Sequence, residues 1–226
     1  MSKTEDLLKE IRALLATGRI SYQSASDIWD VYEGFIFSLV VATASRHGAT
    51  VTYENVKGVR VKDLVFRTSP GQLYSDGAAY THAVVRFDGA PPLEVHVGVR
   101  VQGTSGVLHE CDVLVLPAAE ATLSRVQRIA PRGSQCVLVI ECKYYTSGLG
   151  IGQARNFEGL RADIRTQDEL FVSNIGAMSV VKYLDARKRQ FERNVLPGTS
   201  QTGYVQAGIR NAFKSYLSKN APSTLI

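Results

Sequence analysis

The chain has 226 residues, 45% hydrophobic and 21% charged, with a formal net charge of +5. That apolar share is normal for a globular protein and the length suits one large domain or a domain with a lobe. No run approaches 18 consecutive apolar residues, which argues against a membrane span, and the start of the chain lacks the apolar region of a signal peptide. Three cysteines, an odd number, point to a reducing compartment, so a cytoplasmic protein is expected.

The predicted elements begin with an amphipathic helix over 4–16, with Leu7, Leu8, Ile11, Leu14 and Leu15 on one face. It forms an N-terminal arm (1–20) that packs on the core or meets a partner chain. A longer helix follows over 27–46, capped by Ser26 or Asp27. Ile28, Val31, Tyr32, Phe35, Leu39 and Ala42 give it an apolar stripe. Trp29, Ile36 and Val40 give a second, and Glu33 lies in line with that one. A carboxylate on an apolar stripe needs a partner or a metal. Residues 49–93 are turn-rich and strand-like, with strands at 50–53, 63–66 and 79–87. They form either an elaboration of a sheet or a small β subdomain. Further strands are expected at 93–101, 107–116, 136–143 and 170–174, and a last one at 191–196. Helices are expected at 151–166, 177–190 and 203–218. The 19 residues of 117–135 hold Pro117, Pro131 and Gly133, and suit an irregular excursion or a short helix. No internal repeat or low-complexity tract is present.

Two of these strands carry chemistry. In 107–116, Glu110 and Asp112 interrupt an apolar run. In 136–143, an apolar run ends in Glu141-Cys142-Lys143. Side chains alternate faces along a strand. Strict alternation puts Glu141 and Lys143 on one face, and Asp112 with Glu110 and Leu114 against Cys111, Val113 and Val115. If the strands are neighbours, Asp112, Glu141 and Lys143 converge. Two carboxylates suit a hard divalent cation. A lysine ammonium beside them orients a water and offsets charge that builds on phosphate oxygens. No Cys-x-x-Cys pair marks a zinc site among His109, Cys111 and Cys142.

Asp112 with Glu141-Cys142-Lys143 resembles the PD-(D/E)xK, or restriction-endonuclease-like, nuclease superfamily. Cys111 stands where the family name has proline. The resemblance covers roughly 27–196 at the level of element order. It implies an α/β fold with an α-β-β-β-α-β core, here a single domain over 1–226 with the 49–93 segment as a β-rich insertion. The Asp belongs on the second core strand and Glu-x-Lys on the third. It further implies a Mg²⁺-dependent endonuclease (Mn²⁺ substituting), with Asp112, Glu141 and the Cys142 carbonyl on the metal. Lys143 would position the water, and Glu33 would supply the extra acid that members carry on the first helix. Gln153 resembles a glutamine that some branches place on the helix after the lysine strand. Glu110 is a second candidate on the Asp112 strand. DNA is the favoured substrate, and cleavage of both strands would suit a homodimer.

Charge agrees with that reading. Residues 1–140 hold 14 Lys/Arg and 14 Asp/Glu, whereas 141–226 hold 12 and 7. All the excess positive charge therefore follows the lysine strand, where Arg155, Arg161, Arg187 and Lys188 are candidates for backbone phosphate. Gly148, Gly150 and Gly152 form a glycine-rich turn before a helix, which can cradle phosphate. Their spacing departs from the dinucleotide fingerprint, whose third glycine would fall at Gln153. An RNA-directed nuclease on the same fold and a non-catalytic binding or assembly module are the rival readings.

Overall fold

The computed structural model describes residues 2–16 and 19–220. The first expected helix is α1 (Lys3–Leu15), closed at its start by a capping box in which Ser2 and Glu5 bond each other's backbone. Leu7, Ile11 and Leu15 are buried, so this arm packs on the core; residues 1, 17 and 18 of it lie outside the described set. After β1 (Ile20–Tyr22) comes α2 (Ile28–Arg46), with Asp27 as its N-cap. The predicted stripe widens here to nearly the whole circumference, because α2 touches α1, α6 and the sheet. By length and composition α2 could cross a membrane, but most of it is buried inside the protein.

The remaining strands are β2 (Thr50–Asn55), β3 (Leu64–Phe66), β4 (Thr81–Arg86), β5 (Leu93–Gln102), β6 (Leu108–Pro117), β7 (Leu138–Lys143), β8 (Asp168–Ser173) and β9 (Phe191–Glu192). Seven of them form one mixed sheet in the order β2-β4-β5-β6-β7-β8-β9. Pairing is antiparallel from β2 to β7 and parallel from β7 to β9. The 49–93 segment divides: β2 and β4 extend the main sheet, while β3 pairs with β1 in a separate two-stranded ribbon. The helices after α2 are α3 (Ala118–Gln127), α4 (Ile151–Ile164), α5 (Met178–Asp185) and α6 (Gln201–Asn220).

The chain is thus α/β, with a central mixed sheet flanked by helices. Side chains from α1, α2 and α6 meet Val95, Val113, Val115 and Ile140 on one face. On the other, α3, α4 and α5 cover Leu114, Leu116, Val139 and Phe171. Two expected elements are shorter than predicted by four residues or more. The fifth helix stops at Asp185 and the chain turns through Lys188 (φ 55°). The last strand ends at Glu192, and Asn194 (φ 57°) turns the chain away.

Candidate active site

The site lies where the sheet splits. β6 and β7 pair only from Val113↔Ile140 to Val115↔Leu138 and then part. β8 continues to hold β7 as far as Lys143↔Ser173. The Cys142 N–H, deprived of a β6 backbone partner, donates instead to Asp112 Oδ2 at 2.7 Å. A buried N–H must be satisfied, so one carboxylate oxygen closes the fork and its position is fixed by the backbone. Lys143 Nζ stands 2.6 Å from Glu141 Oε1 and 3.3 Å from Asp112 Oδ2. Just beyond, the Asn174 side chain bonds both the N–H and the C=O of Tyr145, at 2.8 and 2.9 Å, which pins the chain after the lysine.

Strict alternation along β6 does not hold. Cys111 packs with Leu114 and Leu116, not with Val113 and Val115, so the faces slip by one residue at Asp112. Gly98 lies across from that point on β5, between Val97↔Val113 and Val99↔Cys111. Its φ of +61° is a left-handed conformation that side chains disfavour. Its carbonyl turns out of the ladder to accept from Gly71 N–H at 2.9 Å. The slip separates Asp112 from the face of Leu114 and lets its carboxylate enter the fork. On β7 alternation is regular: Ile140 and Cys142 enter the α2-side core. The buried Cys142 thiol is therefore no ligand, and burial pushes its pKa well up.

Glu33 and Glu110 complete the group. Both line a cleft of about 290 Å³ with Trp29, Asp112 and Lys143. Glu110 also lines a neighbouring cleft of about 410 Å³ with Glu141, His109 and Arg155. Burial and the Asp112 charge raise the carboxyl pKa of Glu33 and Glu110; both work against the Lys143 charge. Glu141 is pushed up to about 7 by burial and by Asp112, despite its contact with Lys143. Burial works against the charge on Lys143, but Asp112 and Glu141 outweigh it and hold the ammonium protonated far above neutrality. Four carboxyls thus share one ammonium, and three of them are held toward the neutral form. The group is short of positive charge, and all its donors are hard oxygens, which fits Mg²⁺ or Mn²⁺.

The other predicted residues are placed unevenly. Arg155 is exposed on the α4 wall of the larger cleft, which Glu141 also lines. Gln153 is half-buried in the first turn of α4. Arg161 is ion-paired to Glu169 and so is not a free phosphate contact. Arg187 lies over the Tyr183 ring and near Glu158, and exposed Lys188 follows it in the turn after α5. Asp163 at the end of α4 accepts from Thr104 Oγ1, Ser105 N–H, Ser105 Oγ and His109 Nε2, tying the β5–β6 turn to α4.

A second ionisable group escaped the sequence reading. His82, Glu94 and His96 are buried, with ligating atoms within 4.8 Å of one another, which could hold a metal ion. Arg125 makes a two-pronged contact to Glu94, at 2.9 and 2.6 Å, and already neutralises it. Two imidazoles and one carboxylate already paired with Arg125 make a poorer seat for a hard cation than the four carboxyls beside Lys143. Its signal in the sequence was three ionisable residues in otherwise apolar strands. Comparisons with protein-family models, curated proteins and solved structures returned no match.

Proposed function

We propose that the protein is a metal-dependent nuclease, with DNA the favoured substrate. The observation that carries the reading is the fork between β6 and β7, where four carboxyls and one lysine meet beside open clefts with a deficit of positive charge. With β2–β4 and α3 set aside as insertions, the order α2–β5–β6–β7–α4–β8, with Asp112 on the second of these strands and Glu141-Cys142-Lys143 on the third, supports the likeness to the restriction-endonuclease-like core.

In this reading Asp112 and Glu141 would hold a divalent cation with the Cys142 carbonyl, and Glu33 or Glu110 would extend the donor set. When bound, the cation supplies Lewis acidity toward the phosphate. Lys143 orients the attacking water by donating to it and stabilises charge on the phosphate oxygens. The water oxygen bonds to phosphorus, the bond to the leaving oxygen breaks, and one of the carboxylates with a raised pKa takes the water's proton. Arg155 contacts the backbone on the α4 wall.

The test uses purified protein with plasmid DNA and with structured RNA, in Mg²⁺, Mn²⁺ or EDTA, alongside Asp112→Ala and Lys143→Ala. Cleavage of DNA that needs the metal and falls on the order of 10³-fold in each variant is expected. Cleavage that persists in EDTA, or variants that cut normally, would overturn it; cutting of RNA alone would move the substrate class.

A further inference from the structure

α2 is buried almost all round, yet Trp29 in its first turn is 52% exposed, and it is the only tryptophan in the chain. Single exposed apolar residues are common on protein surfaces; the place of this one sets it apart. It stands one helical turn before Glu33, so the two share a face of α2. Trp29, Glu33 and Glu110 line the cleft of about 290 Å³ that holds Asp112 and Lys143, as do Tyr144 and Tyr145, which follow the lysine. The same three residues line a second cleft of about 140 Å³, with Asp30, Thr68 and Ser69.

The chemistry of the smaller cleft selects its occupant. Asp30, Glu33 and Glu110 outnumber Arg67 there and disfavour a phosphate. Carboxyl and hydroxyl oxygens instead accept hydrogen bonds from the ring N–H and amino groups on the edge of a nucleobase. A space of roughly 150 Å³ takes one benzene-sized ring, so this cleft has room for a single base and not for a base pair. Asp112 is 5% exposed, so a phosphate that reaches it must enter the larger of these two clefts. The nucleoside joined to that phosphate then meets Trp29, whose indole offers a face on which any base can stack. In a duplex, neighbouring bases cover both faces of a base and its edge is paired, so it must leave the helix to reach such a seat.

We infer that Trp29 stacks on a base next to the phosphate cut at Asp112, Glu141 and Lys143, and that the strand is unpaired at this nucleotide. The inference rests on the nuclease reading and narrows its substrate class to single-stranded or locally unpaired nucleic acid. An intact duplex is not the substrate.

The test uses the full-length protein with a short fluorescein-labelled DNA strand, the same strand annealed to its complement, and the matching RNA strand. Ca²⁺ replaces Mg²⁺, and the strands are checked for integrity afterwards. Trp29 emission reports stacking directly, because no other tryptophan contributes. An unpaired strand should quench it and the duplex should not. Quenching by only one of the two single strands supports the stack and names the sugar. Anisotropy should show tighter binding of the single strand than of the duplex. Trp29→Ala should weaken single-strand binding by about fivefold or more, and Trp29→Phe should lose less. Circular dichroism checks the fold of both variants, which change an exposed position. Emission that no single strand alters, equal quenching by the duplex, or a folded Trp29→Ala that binds the single strand as tightly as wild type overturns the proposal. Cleavage assays in Mg²⁺ and Mn²⁺ separate the two ideas. Trp29-dependent binding with no cleavage of any strand sinks the nuclease reading and leaves the base seat. Metal-dependent cleavage of the single strand in which Trp29→Ala keeps the wild-type KM sinks the base seat alone.

Discussion

Glu141→Gln makes the electrostatic argument measurable without any substrate. The wild-type carboxyl moves from its ordinary 4.5 to about 7, chiefly through burial and then the Asp112 charge. With a raised folded pKa, the stability tied to the protonated form is fully present below 4.5 and is lost as pH rises through about 7. That loss is on the order of 3 kcal/mol, from 1.36 kcal/mol per pKa unit. Glutamine cannot ionise, and its amide oxygen can still accept from Lys143. In EDTA, therefore, Glu141→Gln should gain on the wild type by about that amount as pH rises from about 5 to 8. Urea unfolding of both proteins across that range reads it as a growing separation of midpoints at constant slope. Mg²⁺ at about 100 times its Kd should return about 2.7 kcal/mol to the wild type and much less to the variant. Midpoints that move in parallel across the range, or a wild type that stays the more stable at high pH in EDTA, would refute the reasoning.

Gly98→Ala forces a side chain into a left-handed conformation and should cost about 1–2 kcal/mol, read as a lower Tm; an unchanged Tm would mean the β5 kink relaxes freely. Arg125→Met leaves Glu94 buried beside two imidazoles with its main counter-charge removed, and should cost about 3–5 kcal/mol in urea unfolding. A near-neutral result would mean that His96 and His82 satisfy Glu94 between them. Asp163→Ala should speed amide exchange at Thr104 and Ser105, and protection equal to wild type would show that the β5–β6 turn holds itself.

Much of the site was legible because it depended on local periodicity. Glu141 and Lys143 sit two residues apart at the end of an apolar run, and β7 obeys the two-residue period. Asp112 was found for the same reason but assigned the wrong company. Its position depends on Gly98, a residue 14 positions earlier whose left-handed φ no side-chain pattern announces. Glu33 was legible as a carboxyl on an apolar helix, though the neighbours that raise its pKa come from other elements. Arg161 was misjudged because its partner Glu169 comes from the next strand.

The contacts of Asp163 set a mechanical condition on whatever enters the larger cleft. One wall bears His109 and Glu110 at the start of β6, and the other bears Arg155 on α4. Asp163 clamps the two together from one end, and Thr104 N–H to the Asp163 carbonyl, at 2.9 Å, adds a backbone strut. Gly103 makes the clamp possible, because a Cβ there would stand 2.2 Å from Asp163 Oδ2. The width of the cleft is thereby a property of the free protein. In the nuclease reading, a nucleic acid would meet a fixed gauge on that side, with exposed Trp29 across the carboxyls.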